Sequence, residues 1–201
     1  MTLQTPQPPP AALRAVLAAL DSETALRPPA ASALRGAAGP LLPAHPLAVH
    51  VLEGPGAELS TAPRTGWRFL IKQSSAKQGS TDQGSAEITA AAEVIETPGG
   101  YAFSHFTAGP YLDSTVRALR QAWQLAQASR TRHLPRLLSM PHHYATALWL
   151  HHPEVGPATD LLIPLAPAPL GITAHRVYPA ADLLALLERT HAPAPLALNI
   201  S

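Results

Sequence analysis

Residues 66–73 read GWRFLIKQ, and the alternation of Trp67, Phe69 and Ile71 with Arg68, Leu70 and Lys72 is the pattern of a β-strand with one apolar face. Three nearby segments repeat it. Residues 47–53, LAVHVLE, alternate through Leu47, Val49 and Val51. Residues 86–97, AEITAAAEVIET, set Ile88, Ala90, Ala92 and Val94 against Glu87, Thr89, Ala91 and Glu93, although so many alanines also suit a helix. Residues 101–107, YAFSHFT, follow the turn residues Pro98, Gly99 and Gly100. Successive strands joined by short turns pair most simply as an antiparallel meander.

Outside this block the apolar period changes from two to about 3.6 residues. Toward the N-terminus, Leu13, Val16, Leu17 and Leu20 share one face of a helix that starts near Pro10 and ends near Asp21, and a helical turn over 31–35 stops at Gly36, Gly39 and Pro40. Toward the C-terminus, residues 110–129 form the clearest helix, with Leu112, Val116, Leu119, Trp123 and Ala126 on one face and Asp113 at the positive end of its dipole. Residues 128–141, ASRTRHLPRLLSMP, are punctuated by Pro135 and Pro141 and receive no regular element. Two strands, TALWLHH (146–152) and TDLLIPL (159–165), then form a hairpin across PEVGPA, and Pro164 makes the second either an edge strand or one that stops pairing there. Pro179 and Asp182 open a last helix whose Ala180, Leu183, Leu184 and Leu187 share a face.

The expected architecture is thus α+β: a single domain with an antiparallel sheet of about six strands and N-terminal, middle and C-terminal helices, in the order α-ββββ-α-ββ-α. Residues 1–9 are expected as a disordered Pro-rich tail, 10–192 as the domain, 74–85 as a mobile loop without apolar anchors, and 193–201 as a C-terminal tail. Trp67, Phe69, Ile71, Leu119, Trp123 and Leu148 are expected in one core cluster. The element order looks like that of small binding scaffolds such as the type III secretion chaperones. No motif accompanies that likeness, and no function is transferred from it.

Composition narrows the function classes. At 201 residues the chain can bury a core without staples; 46% hydrophobic and 13% charged residues, with 23 prolines, exclude a charge-laced coiled coil and a wholly disordered chain. No apolar run approaches the roughly 20 residues of a membrane span. The absence of cysteine removes disulfides, thiolate nucleophiles and the common structural zinc sites, and the first twenty residues lack a secretory leader pattern, so the expectation is a cytoplasmic protein with no membrane partner.

Catalytic signatures are scarce. Five of the ten histidines, His133, His142, His143, His151 and His152, crowd one segment, but His151 and His152 are strand neighbours that point to opposite faces, and no HxH or HExxH spacing supplies two ligands for a metal. No metal and no cofactor is expected. Asp160 can approach His151 or His152 across the hairpin. Ser104 and His105 are separated by strand alternation, and GxSxG, Walker and dinucleotide fingerprints are absent. An enzyme is the less favoured reading.

Charge is the one asymmetry. From Thr97 through Pro153 the only acid is Asp113, against Arg117, Arg120, Arg130, Arg132 and Arg136, a net +4 in a chain whose total is +1. Such arginines either complement the negative end of the helix dipole or form an anion-binding patch for an acidic partner or a phosphate backbone. The expected function is a non-enzymatic protein-interaction module, adaptor or chaperone-like, acting on a partner chain or as a homodimer. The alternative is a nucleic-acid-associated protein using the arginine segment 117–136; an unrecognised hydrolase is third.

Overall fold

A computed structural model describes residues 2–74, 87–128 and 132–191. The expected loop 74–85, apart from Ser74, and the expected tail 193–201 lie outside the described residues, as does Arg130. The fold is α+β, as its sequence pattern requires.

Strand β1 (Thr2–Leu3) precedes helix α1 (Pro10–Leu20) and two short helices, α2 (Glu23–Leu26) and α3 (Ser32–Arg35). Four strands follow, β2 (Leu41–Val51), β3 (Arg64–Gln73), β4 (Glu87–Thr97) and β5 (Gly100–Thr107), then helix α4 (Pro110–Ala128). Strands β6 (Arg132–Met140), β7 (Ala145–His151), β8 (Leu161–Pro164) and β9 (Tyr178–Pro179) lead to helix α5 (Ala180–His191). The nine strands among the described residues form one sheet in the order β5-β4-β3-β2-β6-β7-β8-β9, with β1 also paired to β6. Two antiparallel meanders meet where α4 crosses over and lays β6 parallel to β2.

The sheet is larger than the six strands expected, and proline explains the difference. Pro135 argues against a central strand, yet β6 occupies the centre. His133 O accepts the Gln4 N–H at 3.0 Å and Ser139 O accepts the Leu52 N–H at 2.9 Å, so odd-numbered residues of β6 turn their polar groups toward β1 and β2. Pro135 therefore faces the interval between the end of β1, at Leu3↔His133, and the start of β2 pairing, at Ala48↔Arg136. No ladder bond is lost there. Likewise β2 begins at Leu41 rather than Leu47, because Pro46 falls within the register slip between Ala44 and Leu47, where His45 takes a left-handed φ of 44°. Residues 2–7 also differ from a free tail: Thr2–Leu3 pair with β6, and Leu3 is buried against α4's cluster.

The core is split by the sheet rather than gathered in one cluster. On the front face, α1, α3 and the turn just before α3 pack Ala12, Val16, Ala31 and Leu34 onto Trp67, Phe69, Ile71, Ala90, Ala92 and Val94. Farther along the same face, α5 packs Leu183 and Leu187 onto Leu138, Trp149, Leu162 and Tyr178. On the back face, α4 covers Leu47, Leu70, Ala91, Leu137, Leu148 and Ile163. The alanine run of β4 is thereby explained, since small side chains on both faces let helices approach from either side. Leu119 and Leu148 thus lie behind Trp67, Phe69 and Ile71. Trp123 leaves the core and is 40% exposed, because α4 seats Ala118, Ala122 and Ala126 against the sheet and turns the indole to the edge of its contact.

Candidate functional site

One row of register partners crosses the front face: Val94, Trp67, Ala48, Arg136, Trp149, Leu162 and Tyr178, from β4 to β9. Strand partners share a face, so these seven side chains point the same way. The first two lie under α1–α3 and the last three under α5. Between the two helix groups stand Ala48, which is small, and Arg136, which is charged. They floor a recess of about 300 Å³ that Pro6, Gln7, His50, Arg64, Trp67 and Leu134 complete.

Each polar group around it has a definite setting. The Arg136 guanidinium lies 4.8 Å from the Trp149 ring centroid, and burial pulls its pKa down from the ordinary arginine value while the Asp160 charge opposes the shift. Arg136 remains a cation. It makes no hydrogen bond or ion pair with the described residues. Arg64, by contrast, is engaged: it pairs with Glu96 at 3.3 Å, reaches the Tyr101 hydroxyl at 3.3 Å and lies over the Trp67 ring at 5.7 Å. His50 Nδ1 donates to Ala62 O at 3.0 Å, and its ring meets Trp149 edge to face at 5.2 Å. Burial lowers the His50 pKa, and the charges of Arg136, Arg64 and His151 add to that, against the Ala62 hydrogen bond. His50 is consequently neutral near pH 7, with Nε2 an acceptor. Trp67 is 4% exposed, and its Nε1–H has no acceptor among the described residues.

Behind this wall Asp160, only 1% exposed, accepts Trp149 Nε1–H at 2.6 Å, His151 Nδ1–H at 2.9 Å and the His152 backbone N–H at 2.7 Å. The cross-hairpin approach of Asp160 to His151 read from the sequence is present. A histidine oriented by a buried carboxylate is the arrangement of a general base, but no hydroxyl among the described residues is bonded to His151. A serine–histidine contact exists elsewhere, beneath α4: Ser114 Oγ lies 3.2 Å from His175 Nε2 and accepts the Ala166 N–H at 2.7 Å. Ser114 is buried, and His175 Nδ1 has no partner among the described residues, none of whose carboxylates orients that ring. Base, orienting acid and hydroxyl are thus divided between the two faces of the sheet.

Of the five arginines singled out from the sequence, the four within the described residues do not come together. Arg117 and Arg120 are exposed on α4, behind the sheet, where Arg117 helps to lower the His175 pKa and Arg120 borders a second recess with His45, Lys72 and Trp123. Arg132 is exposed at the start of β6. Arg136 alone enters the front recess, and it does so from the middle of a strand, not from a helix end. His50, Arg64, Trp67 and Trp149 were not among the candidates. The only signal for them was shared strand parity, which shows its meaning once β2, β3, β6 and β7 are known to be adjacent.

Ser104 and His105 are brought together after all, with Oγ 3.0 Å from Nδ1. A bulge between the pairs Glu93↔His105 and Val94↔Phe103 breaks the alternation that was expected to separate them. Both side chains are exposed on the edge strand. The histidine-rich segment pairs His133 with His152 and His142 with His143, ring centroids 5.3 and 5.1 Å apart. No group of three or more His, Asp or Glu among the described residues is placed to hold a metal ion. No described helix is long and apolar enough to cross a membrane. No protein-family model, curated protein or solved structure matches this chain.

Proposed function

We propose that the protein is a non-enzymatic protein-interaction module, adaptor or chaperone-like, that receives an acidic group of a partner chain in the recess between β2, β3 and β6. The observation that supports this reading is Arg136: a cation stacked on Trp149, oriented in advance, and without a counterion bonded to it among the described residues. Such preorganisation lowers the ordering cost of binding. An exposed row of arginines, as a phosphate backbone requires, is absent from the described surface around Arg136, and no described hydroxyl is bonded to His151.

The test is selection of random peptides displayed with free C-termini against the wild type and Arg136→Gln. Enrichment of acidic groups by the wild type, lost in the variant, is expected. Peptides retained equally by both, or no enrichment, would overturn the reading. Binding of duplex DNA that weakens steeply with salt would replace it with the nucleic-acid alternative.

A further inference from the structure

We propose that the front recess takes the α-carboxylate at the end of a partner polypeptide whose last side chain is apolar. This rests on the interaction-module reading and names the group received.

Charge capacity comes first. Arg64 is already paired with Glu96 and His50 is neutral, so Arg136, which feels the Asp160 charge behind Trp149 but is bonded to no counterion among the described residues, is the one cation of the recess free to take a ligand. One carboxylate matches it. A phosphate monoester carries nearly two negative charges at neutral pH and would leave one unmatched in a partly buried site.

Hydrogen-bonding capacity agrees. The guanidinium of Arg136 is a donor and His50 Nε2 an acceptor, because Ala62 holds Nδ1–H, and Trp67 lines the same space with a buried Nε1–H that has no acceptor among the described residues. A chain end presents the complement: carboxylate oxygens that accept and one last peptide N–H that donates. Of the remaining walls, Pro6, Ala48 and Leu134 are apolar and suit a hydrocarbon side chain, and Gln7 adds a single amide. An internal Asp or Glu would carry flanking peptide units on both sides, for which these walls have few partners. At about 300 Å³ the space is that of the smallest ligand pockets and holds about one terminal residue.

The experiment follows the indole N–H resonances of the ¹⁵N-labelled full chain, with Trp67 assigned through Trp67→Phe. The probes are N-acetylphenylalanine, its neutral amide, N-acetylaspartate N-methylamide as an internal acid, and inorganic phosphate. A saturable shift of the Trp67 indole is expected with N-acetylphenylalanine, weaker by roughly tenfold or more with the amide, as for loss of a charge-assisted hydrogen bond. Arg136→Gln should show the same loss; the comparison of acid with amide on the wild type holds even if that variant folds poorly. Equal binding of acid and amide, or tighter binding of the internal acid or of phosphate, would overturn the chain-end inference while leaving an interaction site. No response to any probe would remove both.

Discussion

Trp149 Nε1 donates to Asp160 Oδ2 at 2.6 Å, so the indole that carries the Arg136 guanidinium is itself fixed by a carboxylate buried to 1% exposure. The same carboxylate orients His151 and closes the β7–β8 turn through the His152 N–H. One side chain thus supports both the fold of the hairpin and the wall of the recess.

Asp160→Ala is expected to destabilise the protein by about 3–5 kcal/mol, since it strands buried donors on Trp149, His151 and His152. Asp160→Asn should cost less, because its amide oxygen still accepts. Urea midpoints of the two variants check this, and equal stability to wild type in Asp160→Ala would contradict the geometry.

The two aromatic anchors of the sequence should separate on substitution. Phe69, 1% exposed, should cost about 3–5 kcal/mol as Phe69→Ala, the usual range for emptying a core aromatic. Trp123, at 40% exposure, should cost only about 1 kcal/mol as Trp123→Ala. Thermal unfolding of both variants makes the comparison.

Gly66 has no room for a side chain. A Cβ there would lie 2.0 Å from Val94 O, across the β3–β4 ladder. Gly66→Ala should therefore destabilise by about 1–3 kcal/mol through displaced backbone, and the amides of Trp67 and Ile95 should lose exchange protection.

Stability should fall as the solution is acidified below the ordinary histidine pKa of 6.5. His45, His50 and His175 each have a folded-state pKa lowered first by burial, with cationic neighbours adding to it. Below 6.5 the unfolded chain binds protons that the folded chain refuses, so the equilibrium shifts toward unfolding until the folded histidines protonate too. Denaturant midpoints compared at neutral and mildly acidic pH should show the loss. His50→Asn should reduce it.

Local pattern was enough for the four-strand meander, the three long helices and the β7–β8 hairpin with Asp160 near His151, because each is set by residues close in the chain. What escaped it depended on neighbours distant in sequence. Pro135 is a strand breaker by composition and is harmless in β6 only because its edge faces the interval between β1 and β2. Ser104 and His105 alternate in principle and meet because a bulge intervenes. Trp123 lies on the apolar stripe of α4, yet the alanines beside it fit closer to the sheet. The net charge of segment 97–153 was visible, but not that Arg136 would part from Arg117 and Arg120. Composition fixes how many arginines the segment carries; the faces of the sheet fix which one meets the front recess. Strand parity gives each residue a side, and only the pairing of β2 with β6 sets Ala48 beside Arg136, so that a small side chain and a cation without a bonded counterion among the described residues floor the recess between two groups of helices.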